Sequence, residues 1–201
     1  MTMPSLNKYQ VKKSRFPVHY IYTQHSLNSL HMMYENGAFD HFDTIFCCGP
    51  HHVNEVRALE KKYGLPKKKI VKHGYYRLES ILNNINNSKN NLEFKSKKNI
   101  LIAPSWGKNG LIETIGDQII DELLKNSFRV TLRPHPETLK KSKNKINNII
   151  KKFGKDENFF IEVSVDSQKS LHESNALISD WSGVAFEYFF SLNKPVFFFD
   201  T

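Results

Sequence analysis

The sequence predicts an α/β protein built on parallel sheets, and three observations carry that prediction. Short apolar runs bounded by turn residues alternate with helix-period stretches along the chain. Several runs, such as NILIA, ALIS and PVFFF, are continuously apolar rather than alternating, which fits strands covered on both faces. The residues with unusual chemistry directly follow these runs, and open parallel sheets bind ligands at the carboxyl ends of their strands.

Taken in order, Val18–Thr23 and Thr44–Cys48 read as strands, Val53–Tyr63 as a helix, Lys69–His73 as a short strand, and Tyr76–Leu82 as the start of a helix. Residues 83–98 then form a polar, Asn- and Lys-rich stretch with no packed face, read as a linker or surface loop. Beyond it the pattern is more regular. Strands are predicted at Asn99–Ala103, Phe128–Leu132, Phe159–Val163, Ala176–Ser179 and Pro195–Phe199. Helices are predicted at Leu111–Lys125, Thr138–Phe153, Ser167–Ser174 and Gly183–Ser191. The organisation is therefore a partial Rossmann-like unit over 1–82, a linker, and a nearly complete doubly wound unit over 99–201. The chain ends two residues after its last predicted strand, before any covering helix, so a truncated chain is expected.

The 201 residues carry a formal charge of +9, with 39% hydrophobic and 24% charged residues, a globular composition. The charge is uneven: residues 1–80 hold 12 Lys/Arg against 6 Asp/Glu, and residues 81–201 hold 17 against 14. A basic surface suits phosphate-rich partners without choosing among nucleotide, anionic polymer, nucleic acid and anionic lipid. The adjacent Cys47 and Cys48 point to opposite faces of a strand, so buried free thiols in a reducing compartment are expected. The polar, basic N-terminus lacks a signal-peptide core and no run approaches the ~20 apolar residues of a membrane span. A cytoplasmic protein is expected, able to rest on the inner face of the membrane.

Two strand-end loops carry the strongest chemical signals. In Ser179-Asp180-Trp181-Ser182-Gly183, Asp180 or Ser182 could cap the following helix, Gly183 would admit a ligand close to the backbone, and Ser182 would add a hydroxyl donor. The free N–H groups of that helix start would then face a phosphate, with Ser179, Asp180, Ser182 and Gly183 expected to bind the donor together with Arg133 and Ser105; an ordinary capped helix explains the same loop equally well. In Arg133-Pro134-His135-Pro136, two prolines stiffen the turn, Arg133 could pair with a phosphate, and His135 could donate to a phosphate oxygen or protonate a leaving group. A third loop, Ser105-Trp106-Gly107-Lys108, could line the same cleft or form an exposed turn. In the first part, His25 follows a strand and could act as a general base, His31 reads as structural, and His51-His52 read as solvated helix-start polarity. No GxGxxG, GxxxxGK[ST], HExxH or GxSxG is present, and the carboxylates show no metal-ligand spacing. These absences argue against an NAD enzyme, a P-loop NTPase, a zinc protease and an α/β-hydrolase. No cofactor or metal is expected.

The order of the loops resembles the CDP-glycerol glycerophosphotransferase family, the teichoic-acid primases and polymerases. The resembling segments are Gln24-His25-Ser26, Cys48-Gly49-Pro50, His73 through Glu79, Pro104-Ser105-Trp106, Arg133-Pro134-His135-Pro136, and Ser179 through Glu187. Ser26 stands where the family pattern has glycine, and Tyr76 where it has proline. The resemblance implies a GT-B architecture, in which a donor is held between two Rossmann-like domains. It also implies attack of an acceptor hydroxyl on the β-phosphorus of CDP-glycerol with release of CMP. His25 would be general base, and His135 and Arg133 with the Ser182-Gly183 helix start would hold the pyrophosphate. The acceptor would be a membrane-bound polyol or glycan, which fits a basic surface against anionic lipid. Two other readings stand beside it: a GT-B glycosyltransferase using a nucleotide sugar, and a non-catalytic nucleotide- or polyanion-binding module. A nucleic-acid partner is not expected, because aromatic-basic interleaving of the RNA-binding kind is absent.

Overall fold

The computed structural model describes residues 1–9, 11–88, 98–164 and 167–200, with 85–88 as backbone alone. It divides into two compact units, Met1–Tyr76 and Arg77–Thr201.

In the first unit, β1 (Ile21–Thr23), α1 (Leu30–Met33), β2 (Thr44–Cys47), α2 (Pro50–Tyr63) and β3 (Lys69–Lys72) follow in order, and the strands form a parallel sheet β1-β2-β3. Helix α2 opens on Pro50, whose fixed φ and missing N–H suit a first helical position. It closes at Gly64 in the left-handed region at φ 62°. The core gathers Tyr22, Phe39, Phe42, Ile45 and Val56, and Tyr22 meets Phe39 and Phe42 edge-on at 5.0 and 5.2 Å. Lys68 is buried beside it, its amine donating to the carbonyls of Asp40 (2.9 Å) and Phe42 (2.7 Å).

In the second unit, α3 (Tyr76–Ser88) leads to β4 (Asn99–Ile102), α4 (Leu111–Thr114), α5 (Gly116–Lys125), β5 (Arg129–Leu132), α6 (Pro136–Lys141), α7 (Lys143–Phe153), β6 (Phe159–Ile161), α8 (Lys169–Glu173), β7 (Ala176–Ser179), α9 (Val184–Leu192) and β8 (Val196–Phe198). All its strands are parallel, in the order β6-β5-β4-β7-β8. Alternation along β4 divides the core between two faces: Ile100 and Ile102 join the cluster under α5 and α7, while Leu101 and Ala103 join Leu177, Ala185 and Tyr188. The chain starts at the central strand, winds to one edge, returns and winds to the other. That places a topological switch point between β4 and β7.

Two helices expected to be continuous are broken. The first stops at Ile115 and restarts at Gly116, where a Cβ would lie 3.3 Å from the carbonyl of Leu111; glycine allows the tight join. The second breaks at Ser142, whose hydroxyl donates to Glu113 at 3.0 Å, a local side-chain bond that competes with helix continuation. The stretch 83–98, expected to be a linker, begins inside α3, because burial of Ile81 carries the helix past the weak helix formers that follow. Residues 89–97 of that stretch lie outside the described residues. Among the described residues, no helix is long and apolar enough to cross a membrane.

Candidate functional site

The crevice at the β4/β7 switch point is built by Pro104–Gly107 after β4 and Asp180–Gly183 after β7. Asp180 stitches the two together. It is 1% exposed; Oδ1 accepts the backbone N–H of Ser105 at 2.7 Å, and Oδ2 that of Leu111, the first residue of α4, at 3.1 Å. Ser179 is equally buried, and its hydroxyl donates to the carbonyl of Ala103 at 2.8 Å. Both side chains are committed to holding the two loops together.

The expected cap of α9 is corrected by this geometry. Neither Asp180 nor Ser182 makes a side-chain bond to that helix start, and the residue before it is Gly183, in ordinary right-handed geometry at φ −60°. Asp180 is spent on α4 and the β4 loop instead. Ser182 is half-buried, and its carbonyl rather than its hydroxyl serves the start of α9, accepting the N–H of Ala185 at 3.1 Å. Ser105 is 8% exposed, and its buried hydroxyl is unpartnered among the described residues. A buried hydroxyl without a partner costs about 1–3 kcal/mol, a penalty that a ligand in the crevice would remove.

His135 caps α6: its Nδ1 accepts the backbone N–H of Glu137 at 3.1 Å. The neutral ring therefore carries its proton on Nε2, as a donor. Burial pushes its pKa below the ordinary histidine value, against the pull of Glu137 and Asp180. Trp106 lies beside it with ring centroids 6.2 Å apart, and the Lys141 ammonium sits 4.1 Å over the indole. The β4 and β5 loops thus share one rim. Arg133 is turned inward, its side chain 12% exposed and 3.6 Å from Glu162.

His25 lies in the first unit, in the loop after β1. Its Nδ1 is 3.5 Å from the Tyr22 hydroxyl, and its ring meets Tyr34 edge-on at 6.4 Å. Packing on that side lowers its pKa, and a hydrogen bond to the backbone of Thr2 opposes the shift. The other side of the residue is exposed. Beside it, the buried amide of Gln24 has no partner on either polar atom among the described residues. His31 is a surface residue of α1 near Glu55. The reading of His51-His52 as solvated polarity holds for His51, which is exposed at the start of α2, and is corrected for His52. His52 is 0% exposed, its Nδ1 accepting from the N–H of Cys48 (3.3 Å) and its Nε2 donating to the carbonyl of Asn28 (2.8 Å). His51 stacks on it at 4.0 Å and bonds the carbonyl of Leu27. The two fasten the loop that carries His25. Cys47 and Cys48 are free thiols. Among the described residues no three His, Cys, Asp or Glu side chains gather as a metal site.

Burial is the largest cause of the lowered pKa of His52, His135 and His172. Each binds its proton less readily when folded, so as pH falls through about 6.5 the unfolded chain takes up more protons than the folded one. Stability is complete above that pH and declines below it. The urea midpoint is expected to be lower at about pH 5.5 than at about pH 7.5; equal midpoints would contradict the buried, neutral state of these rings.

The family model for CDP-glycerol:poly(glycerophosphate) glycerophosphotransferase matches residues 18–201. The chain belongs to that family. Among solved structures, this family member is similar to the wall teichoic acid polymerase TagF soaked with CDPG, at 22% identity and TM-score 0.54, covering 90% of this chain and 48% of that one. It is also similar to the UDP-GlcNAc 2-epimerase of Methanocaldococcus jannaschii in complex with UDP-GlcNAc and UDP, at 17% identity and TM-score 0.56, covering 78% of this chain and 45% of that one. The fold is the parallel α/β fold of these GT-B-type chains, and the chain spans about half their length. No curated protein sequence matches it.

The residue that sequence patterns missed is Glu162, which pairs with Arg133; Arg77 and Glu187 lay in the resembling segments, but their pairing with each other beside Arg133 was not read. A signal was available for Glu162, an acidic residue directly after a strand of the ligand-bearing edge. Arg77 and Glu187 are far apart in the chain and come together only in the fold.

Proposed function

We propose that this chain carries the donor-binding part of a transferase that moves glycerol phosphate from CDP-glycerol to a hydroxyl of a cell-surface polymer or lipid-linked acceptor. The observation that carries the reading is the clamped crevice at the switch point, where the buried hydroxyl of Ser105 lacks a partner among the described residues beside a neutral, donating histidine. Membership of the glycerophosphotransferase family supports the choice of donor. In this reading the hydroxyls of Ser105 and Ser182, Nε2–H of His135 and the start of α9 hold the pyrophosphate, with Arg133 supplying positive charge behind them. The acceptor oxygen forms a bond to the β-phosphorus as the bond to the CMP oxygen breaks. The acceptor proton passes to His25, whose lowered pKa keeps its ring neutral and able to accept it. The leaving phosphate of CMP gains charge, which the same donors offset. The reading assigns no metal to this step. It gives residues 1–82 the acceptor side and 99–201 the donor, and rests the basic first part on the anionic inner face of the membrane.

A second reading, transfer from a nucleotide sugar, is favoured by the fold shared with a UDP-GlcNAc-binding epimerase. Calorimetry with CDP-glycerol, CMP, UDP-sugars and a random oligonucleotide separates the two. The first reading expects cytidine preference, weakened in His135→Ala. Binding of UDP-sugars without cytidine preference would replace it with the second, and binding of the oligonucleotide alone would sink both. Ser182→Ala is expected to weaken CDP-glycerol binding by about 1–3 kcal/mol, the range of a hydrogen bond to a charged group; unchanged affinity would remove Ser182 from the site.

A further inference from the structure

The rim that carries Arg133 holds more charge than the donor reading uses. Arg133 follows β5, and its mostly buried guanidinium lies 3.6 Å from Oε2 of Glu162, the residue that follows β6. The Glu162 carboxylate is itself held on both oxygens: Oε1 accepts the hydroxyl of Ser167, and Oε2 that of Ser170 in α8. A second ion pair lies alongside, Arg77 at the start of α3 to Glu187 in the first turn of α9, at 3.2 Å. Burial lowers the pKa of Arg133 and Arg77 adds to that effect, while Glu162 most strongly, and then Glu187, oppose it. Two acidic and two basic side chains from four segments of the second unit therefore gather in one cluster.

Such a cluster is a poor source of net stability, because the cost of removing the charges from water offsets much of their attraction. It does supply fixed geometry. With both oxygens pinned by serine hydroxyls, Glu162 is the stationary member and Arg133 is the one oriented by it. The backbone leaving Arg133 is Pro134-His135-Pro136, whose proline rings fix φ on either side of the histidine. An anchor at Arg133 is therefore transmitted to the ring of His135 with little slack.

We propose that Glu162 is a positioning residue of the donor site. By holding Arg133 it sets the Arg133–Pro136 turn, so that Nε2 of His135 faces one fixed point in the crevice, while Arg77 and Glu187 tie the start of α9 to the same cluster. The inference rests on the donor reading above.

The test is Glu162→Gln in the full chain, which keeps the volume and removes the charge. CDP-glycerol affinity measured by calorimetry is expected to fall about tenfold, the scale of one weakened hydrogen bond to a charged group. In the same variant the NMR titration of the His135 ring is expected to move. A role in folding alone would lower the melting temperature and leave both readouts in place, and that result overturns the proposal. If Glu162→Gln does not fold, Ser170→Ala carries the test. It keeps every charge and loosens only the carboxylate, with an expected affinity loss of about threefold; no loss overturns the proposal. Failure of the unsubstituted chain to bind CDP-glycerol overturns the donor reading, and this inference with it. Binding by the unsubstituted chain that is matched by Glu162→Gln overturns the inference alone.

Discussion

Alanine at Asp180 is expected to cost the second unit about 3–5 kcal/mol, because it strips two buried backbone donors of a charged acceptor at once. Those donors are the N–H groups of Ser105 and Leu111. The melting temperature should fall by roughly 10 °C, since each kcal/mol is worth about 2–4 °C in a domain of this size. The effect reaches the site directly: without the clamp the β4 loop is free to leave the β7 loop, and CDP-glycerol binding should disappear even where the variant remains folded. Asp180→Asn gives the finer comparison. Its carbonyl can serve one donor, but its amide presents N–H to the other, so an intermediate melting temperature is expected. Full stability in Asp180→Ala would mean that the crevice does not depend on the clamp.

The second large effect is expected in the first unit. His52→Ala should destabilise that unit by about 3 kcal/mol, combining a cavity with two lost hydrogen bonds. It leaves the N–H of Cys48 and the carbonyl of Asn28 without their partner ring. Hydrogen exchange is the sharper readout. Amides of the loop after β1, which carries His25, should exchange faster, whereas amides of β6 in the other unit should not. Unchanged exchange in that loop would show that His51, on the carbonyl of Leu27, and the Cys48 thiol, which donates to the carbonyl of Ser26 at 3.8 Å, hold it without His52.

Much of the fold was legible in the sequence because parallel strands buried on both faces are written as unbroken apolar runs. The runs NILIA and ALIS mark β4 and β7 to within a residue. Their order in the sheet was not legible, because nothing local to β4 says that β7 will lie beside it. The helix breaks at Ile115 and Ser142 were missed for a related reason. The apolar period runs straight through both, and the break at Ser142 is made by Glu113, a partner distant in the chain. For the site, chemistry was legible and assignment was not. The loop after β7 announced itself by its polar residues, but the burial of Ser179 and Asp180 and their work for the β4 loop depend on long-range contacts. His52 shows the same limit: a histidine at a helix start looks solvated until the fold buries it. Arg133 stood out as a strand-end cation, while the carboxylate that orients it arrives from another strand.

The clamp at Asp180 also bears on when the molecule acquires its crevice. The carboxylate reaches back 75 positions to Ser105, and β7 docks against β4 only after β5, β6 and the intervening helices have been made. Closing so long a loop is entropically costly, and contacts of such sequence separation are slow to form. A growing chain can pair β4 with β5 while the other flank of β4 is still bare, and the β4 loop then has no acceptor for its donors. The crevice therefore cannot be latched until β7 and the loop after it have been made. A chain interrupted before Asp180 would hold a partly formed sheet with the entrance to its ligand site unlatched.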